Sequence, residues 1–140
     1  NVGSVTWPLM IKGLLRVRDP KYYLFFTATS NGQRAASEYL QRLKERRKDR
    51  DKGPTPRALL RQLKAITAWG KQAPQELGRL RMPTLIANGD NDIMVPTVNS
   101  HELAKRIPDA QLVIYQDAGH GSIFQNHTDF VAKAVAFLDT

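Results

Sequence analysis

The chain has no cysteine among its 140 residues, which excludes disulfide stapling and thiolate chemistry and is compatible with a reducing compartment. It has no apolar run of about 20 residues, the length a helix needs to cross a bilayer. Nothing at Asn1 has the pattern of a secretory leader, so the cytoplasm is the expected location and no membrane partner is expected. No set of His, Asp and Glu is spaced as metal ligands are, and neither metal nor cofactor is expected. Acidic residues are scarce in one half. Residues 1 to 80 hold 17 Lys+Arg against 6 Asp+Glu, and residues 81 to 140 hold 4 against 7, for a net charge of +8. A basic segment attracts nucleic acid or anionic lipid. Here, however, no aromatic residues interleave the basic run and no nucleic-acid module is present, so the charge reads as a solvated helix face and no nucleic-acid partner is expected.

The acidic half is the more regular. Thr84 to Gly89 is a short apolar run between turn residues, as in a strand buried in a parallel sheet. Pro96 can open a helix whose face carries Leu103, Ala104 and Ile107 until Pro108 stops it. Gln111 to Tyr115 is apolar without alternation, which suits a strand covered on both sides. The expected unit is βαβ. Its strands must be parallel and about 4.8 Å apart, so the loops after them leave the same sheet edge and Asp92 can meet His120. Ligand chemistry in open α/β sheets collects at that edge.

These loops, Gly89-x-x-Asp92-x-x-x-Pro96 and Gly119-His120, resemble the acid and base loops of the α/β-hydrolase family. The resemblance covers about residues 80 to 140. Upstream, residues 46 to 51 and the Ala-Ile-Thr-Ala-Trp-Gly run ending at Gly70 are similar to the helical cap of esterase-like members. It implies a fold class of α/β type, the C-terminal part of an α/β-hydrolase: parallel strands with flanking helices in residues 80–140, and a helical cap or lid segment in residues 1–79. It also implies that Asp92, rather than Asp90, orients the imidazole of His120 and stabilises its cation, while His120 moves protons to and from a serine and a leaving group. Asp90 is left as a turn residue bonding its own backbone. Met94, Val95, Ile123 and Phe124 flank the two loops and are candidates for an apolar acyl pocket. His101 and His127 have no carboxylate at a telling spacing.

The usual family order is nucleophile, acid, base, so the nucleophile belongs upstream. Two strands do not make a stable sheet. The expectation is therefore a C-terminal part of a longer serine hydrolase that associates with its missing N-terminal half or with another copy. One rival serine lies within the chain. Tyr22 to Thr27 is aromatic and strand-like and runs into Ala28-Thr29-Ser30-Asn31-Gly32, imitating a strand and nucleophile elbow; otherwise Ser30 or Asn31 caps the next helix. Residues 1 to 19 read as a loop and a short helix, with Trp7 and Met10 as possible pocket linings. Residues 33 to about 49 form an amphipathic helix, Asp51-Lys52-Gly53-Pro54 breaks it, and a second helix runs from Thr55 and Pro56 to Trp69 and Gly70, giving an antiparallel hairpin. A last helix, with Phe130, Ala134 and Phe137 on one side, is expected to pack on the sheet.

The expected function is hydrolysis of a carboxylic ester or related acyl substrate. Dehalogenases use the same loops with an aspartate nucleophile, and a non-catalytic remnant with a basic segment binding an acidic partner is the alternative.

Overall fold

A computed structural model describes residues 2–50, 53 and 55–139. Its frame is the expected βαβ unit: β1 (Thr84–Gly89), a helix Thr97–Arg106, and β2 (Ala110–Tyr115). The strands pair in parallel from Thr84 opposite Ala110 to Gly89 opposite Tyr115. Both therefore end on the same rung, and the two site loops start side by side. In the connecting helix Ile107 is buried as the C-cap. Its carbonyl partner, Leu103, is 37% exposed.

In chain order the helices are α1 (Val2–Leu15), α2 (Lys21–Leu24), α3 (Ser30–Glu45), α4 (Pro56–Trp69), α5 (Thr97–Arg106), α6 (Ser122–Gln125) and α7 (His127–Leu138), with a 3-10 turn at Leu77–Arg79 before β1. No helix among the described residues is long and apolar enough to cross a membrane.

Several upstream expectations are corrected. Residues 2 to 15 form one helix with Pro8 inside it, rather than a loop and a short helix. The Trp7 side chain lies outside the described residues. The aromatic run after Tyr22 is not a strand: α2 turns it, with Asp19 Oδ1 accepting from Lys21 N at 2.9 Å. Its rings then pack inward, Phe26 joining Ala35 and Ala36 in a buried cluster walled by Tyr22, Phe25 and Tyr39. Side-chain burial has outweighed strand propensity, because a lone run finds no ladder to join.

Ser30 is the first residue of α3. The N-cap is its neighbour Thr29, whose hydroxyl accepts from Gly32 N at 3.1 Å. α3 stops at Glu45, short of the expected end, and Asp51, Lys52 and Pro54 of the expected break lie outside the described residues. α4 begins as anticipated, with Thr55 as N-cap and Pro56 in the first turn. It nevertheless buries none of its residues, and Leu60, Ile66 and Trp69 stay exposed, so the packed hairpin with α3 is not formed.

The C-terminal segment is two helices rather than one. A cavity of about 390 Å³ lined by Leu85, Leu112, Val113, Ala136 and Phe137 lies between α7 and the two strands. Tyr115 at the end of β2 donates its hydroxyl to Asp129 of α7 at 2.9 Å.

Candidate active site

The acid loop leaves β1 at Gly89, and the reason for glycine there is steric. A Cβ at this position would fall 2.1 Å from Ala118 O and 2.5 Å from Gly119 O, inside the backbone of the histidine loop. Only a residue without a side chain lets the two loops come this close. Three bonds then stitch them: Asp90 N to Tyr115 O at 2.9 Å, Asn91 N to Ala118 O at 3.0 Å, and Ala118 N to Asp90 Oδ1 at 3.1 Å. Asp90 is thus more than a turn residue serving its own backbone, because its carboxylate reaches across to residue 118.

Asp92 is buried, and its Oδ2 lies 3.0 Å from His120 Nδ1. Its Oδ1 accepts the amides of Met94 at 2.8 Å and Val95 at 2.9 Å. Burial pushes the carboxyl pKa up, but the bonds from His120, Val95 and Met94 outweigh it and hold Asp92 below its ordinary value. The group therefore stays an anion near neutral pH, and its second oxygen is fixed on the imidazole. The His120 side chain is one-third exposed. With Nδ1 taken by Asp92, Nε2 is the nitrogen left for proton exchange with another group.

The remaining support was not foreseen from the sequence. Asn88, the last side chain of β1 before Gly89, is buried; its amide donates to Val95 O and to Ser100 Oγ, each at 3.1 Å, tying the acid loop to α5. Phe25 packs edge-on against the His120 ring, with centroids 5.2 Å apart. An Asn at a strand end is a readable signal for such a brace. Nothing local in the sequence marks Phe25, 95 positions before the histidine.

A cavity of about 830 Å³ opens beside the pair, lined by Leu9, Tyr22, Phe26, Thr27, Asp92, Ile93 and Gly119 among others. Met94, Val95, Ile123 and Phe124 do not line it. Met94 and Val95 serve Asp92 through their amides, Ile123 is half-buried, and the Phe124 ring lies 5.0 Å from Tyr39. Met10 does not line it either, whereas Leu9 of the same helix does. Among the described residues no three His, Asp or Glu side chains converge as metal ligands would.

Comparison with known proteins bears on this geometry. Over 82 residues the chain is 35% identical to a protein of Pseudomonas syringae pv. syringae (strain B728a) provisionally named carbamate hydrolase RutD, covering 59% of this chain and 31% of that one. Over 44 residues it is 48% identical to the poly(3-hydroxyalkanoate) depolymerase of Ectopseudomonas oleovorans, covering 31% of this chain and 15% of that one. An alpha/beta hydrolase fold protein from Chitinophaga pinensis superposes with a TM-score of 0.86 at 37% identity, over 96% of this chain and 50% of that one. The chain thus spans about a third of the first relative and half of the solved structure. The family model for the alpha/beta hydrolase fold matches residues 18–127, and the chain belongs to that family.

Proposed function

We propose that this chain is the acid-and-base part of a serine hydrolase acting on a carboxylic ester or related acyl substrate. The observation that carries the reading is the 3.0 Å contact between buried Asp92 and His120 Nδ1. A serine contributed by upstream sequence attacks the acyl carbon, and His120 Nε2 takes its proton and then delivers it to the leaving group. A water molecule, deprotonated in turn by His120, attacks the acyl-enzyme, and the serine oxygen leaves with that proton as the acid is released. Asp92 stays ionised throughout, holding the ring in one tautomer and stabilising the imidazolium. Names of the relatives fit an acyl-type reaction, since a carbamate and a polyester both present a carbonyl carbon to the nucleophile.

Residues 1–79 act as the cap and residues 80–140 as the end of the core. Met94, Val95, Ile123 and Phe124 flank the catalytic loops as an apolar wall on the acyl group, completed by upstream residues. The upstream half docks on β1: in the two-stranded sheet the outer edge of β1 has no partner among the described residues, and such an edge is a template for a further strand. No cofactor enters this mechanism, and the cytoplasm is the location we assign.

The test uses p-nitrophenyl esters of short acids. Joined to its upstream sequence, the protein should hydrolyse one of them. His120→Ala should lower kcat by several orders of magnitude, and Asp92→Ala should also be severe. Ser30→Ala should leave kcat unchanged. Residues 1–140 alone should show no turnover. Activity that ignores His120→Ala would overturn the assignment, as would turnover by residues 1–140 that vanishes with Ser30→Ala.

A further inference from the structure

Asp117 lies three residues before His120, in the left-handed region at φ 50°, and its side chain bonds residues 86 to 90 positions upstream. Its Oδ1 accepts from Thr27 Oγ1 and from Thr29 Oγ1, each at 2.9 Å, and its Oδ2 accepts from Thr29 Oγ1 at 2.9 Å and Asn31 Nδ2 at 3.1 Å. Its carbonyl accepts from Gln125 Nε2 at 3.0 Å. The bonds from Asn31, Thr29 and Thr27 hold the carboxyl below its ordinary pKa, so it stays an acceptor-only anion. On the other side of His120, Gly121 N donates to Phe25 O at 2.7 Å. A Cβ at Gly119 would meet that same carbonyl at 2.8 Å. The segment from Phe25 to Asn31 is thus fastened to the histidine loop before and after the imidazole, and between the two fastenings Phe25 lies edge-on to the ring.

We propose that Asp117 is a positioning residue for His120: by latching Thr27, Thr29 and Asn31 it holds Phe25 against the imidazole, so that ring orientation is set on one side by Asp92 and on the other by Phe25. The proposal rests on the hydrolase reading above for its kinetic consequence. The ring needs both sides because the bond from Asp92 fixes Nδ1 but leaves the imidazole free to swing about it. Nε2 must stay aimed at one point for the attacking hydroxyl. Thr29 couples the latch to α3, since the hydroxyl that donates to Asp117 also accepts from Gly32 N as the helix cap.

The experiment compares Asp117→Ala, Asp117→Asn and Thr27→Val in the protein joined to its upstream sequence. It records kcat, KM and the downfield Nδ1–H proton resonance of His120 by NMR. Asp117→Ala should lower kcat about tenfold to a hundredfold, the range that a small misplacement of a reacting group costs. KM should change by less than about twofold, and the resonance should broaden or vanish. Asp117→Asn keeps an oxygen for the two threonines and should recover kcat to within about threefold of the parent. If Asp117→Ala does not fold, Thr27→Val carries the same test with a loss of about threefold, one hydrogen bond's worth. A parental kcat and resonance in the alanine or valine variant would overturn the proposal, as would a change confined to KM. A parent protein whose hydrolysis ignores His120→Ala would sink the hydrolase reading instead, while the resonance would still report on the latch.

Discussion

Gly89→Ala tests how closely the two catalytic loops must approach. The added methyl would sit 2.1 Å from Ala118 O, short of an ordinary carbon–oxygen contact by about 1 Å or more. The obstruction is backbone, so no rotamer relieves it; Ala118 must retreat. That movement breaks or lengthens the bonds Asn91 N to Ala118 O and Ala118 N to Asp90 Oδ1. Two hydrogen bonds at about 0.5–1.5 kcal/mol each and overpacking of about 1–3 kcal/mol put the destabilisation at roughly 2–6 kcal/mol. His120 follows Ala118 by two residues, so the shift also draws the ring from Asp92, and kcat should drop by about a hundredfold. Urea unfolding followed by circular dichroism reads the first effect, and ester hydrolysis by the protein joined to its upstream sequence reads the second. Gly78→Ala is the control, because nothing lies within 4 Å of a Cβ there. A Gly89→Ala protein with parental urea midpoint and kcat would refute the reasoning that steric exclusion of a side chain is what lets the loops meet.

Asn88→Ala should cost about 1–3 kcal/mol in the same unfolding assay, since it leaves Val95 O and Ser100 Oγ without a buried donor; an unchanged midpoint would show that α5 alone fixes the acid loop. Burial, and then the bond to Asp129, raise Tyr115 to about 12. The folded state therefore holds this proton more tightly than the unfolded chain, so the contribution is complete below about pH 10 and is lost as pH climbs towards 12. Tyr115→Phe should flatten the decline of stability over that window, and identical slopes in the two proteins would count against the Tyr115–Asp129 bond. By light scattering, residues 1–140 should associate, because both outer strand edges are unpaired among the described residues; a 15.8 kDa monomer with a cooperative melt would contradict this.

The β1, α5, β2 unit was legible because each boundary is punctuated by a residue with one backbone use, Pro83 and Gly89 around the first strand and Pro96 and Pro108 around the helix. Its two strands are parallel by necessity, and that alone brings Asp92 and His120 to one edge. The upstream part was illegible for the opposite reason. Gly3, Pro8 and Gly13 leave residues 1 to 19 without a long clean period, yet the chain stays helical through Pro8. The aromatic run at Tyr22 read as a strand, but Asp19 and Pro20 turn it into α2 and its rings find Ala35 and Ala36 instead. The Phe25 contact with His120 and the Asp117 latch join residues too far apart in sequence for any spacing rule to pair them.

The common rung shared by Gly89 and Tyr115 has a consequence for how such an enzyme can be divided. Everything that joins acid to base lies between Thr84 and His120: two paired strands, one crossover helix and two loops stitched together by main-chain bonds. The dyad is therefore carried by one contiguous segment, whose strand pairing and loop-to-loop main-chain bonds use no residue upstream of Thr84. A hydrolase severed ahead of the cap would keep its proton-handling chemistry in one piece and its nucleophile in the other. Complementation of the two pieces in trans would restore turnover, making ester cleavage a direct reporter of their encounter.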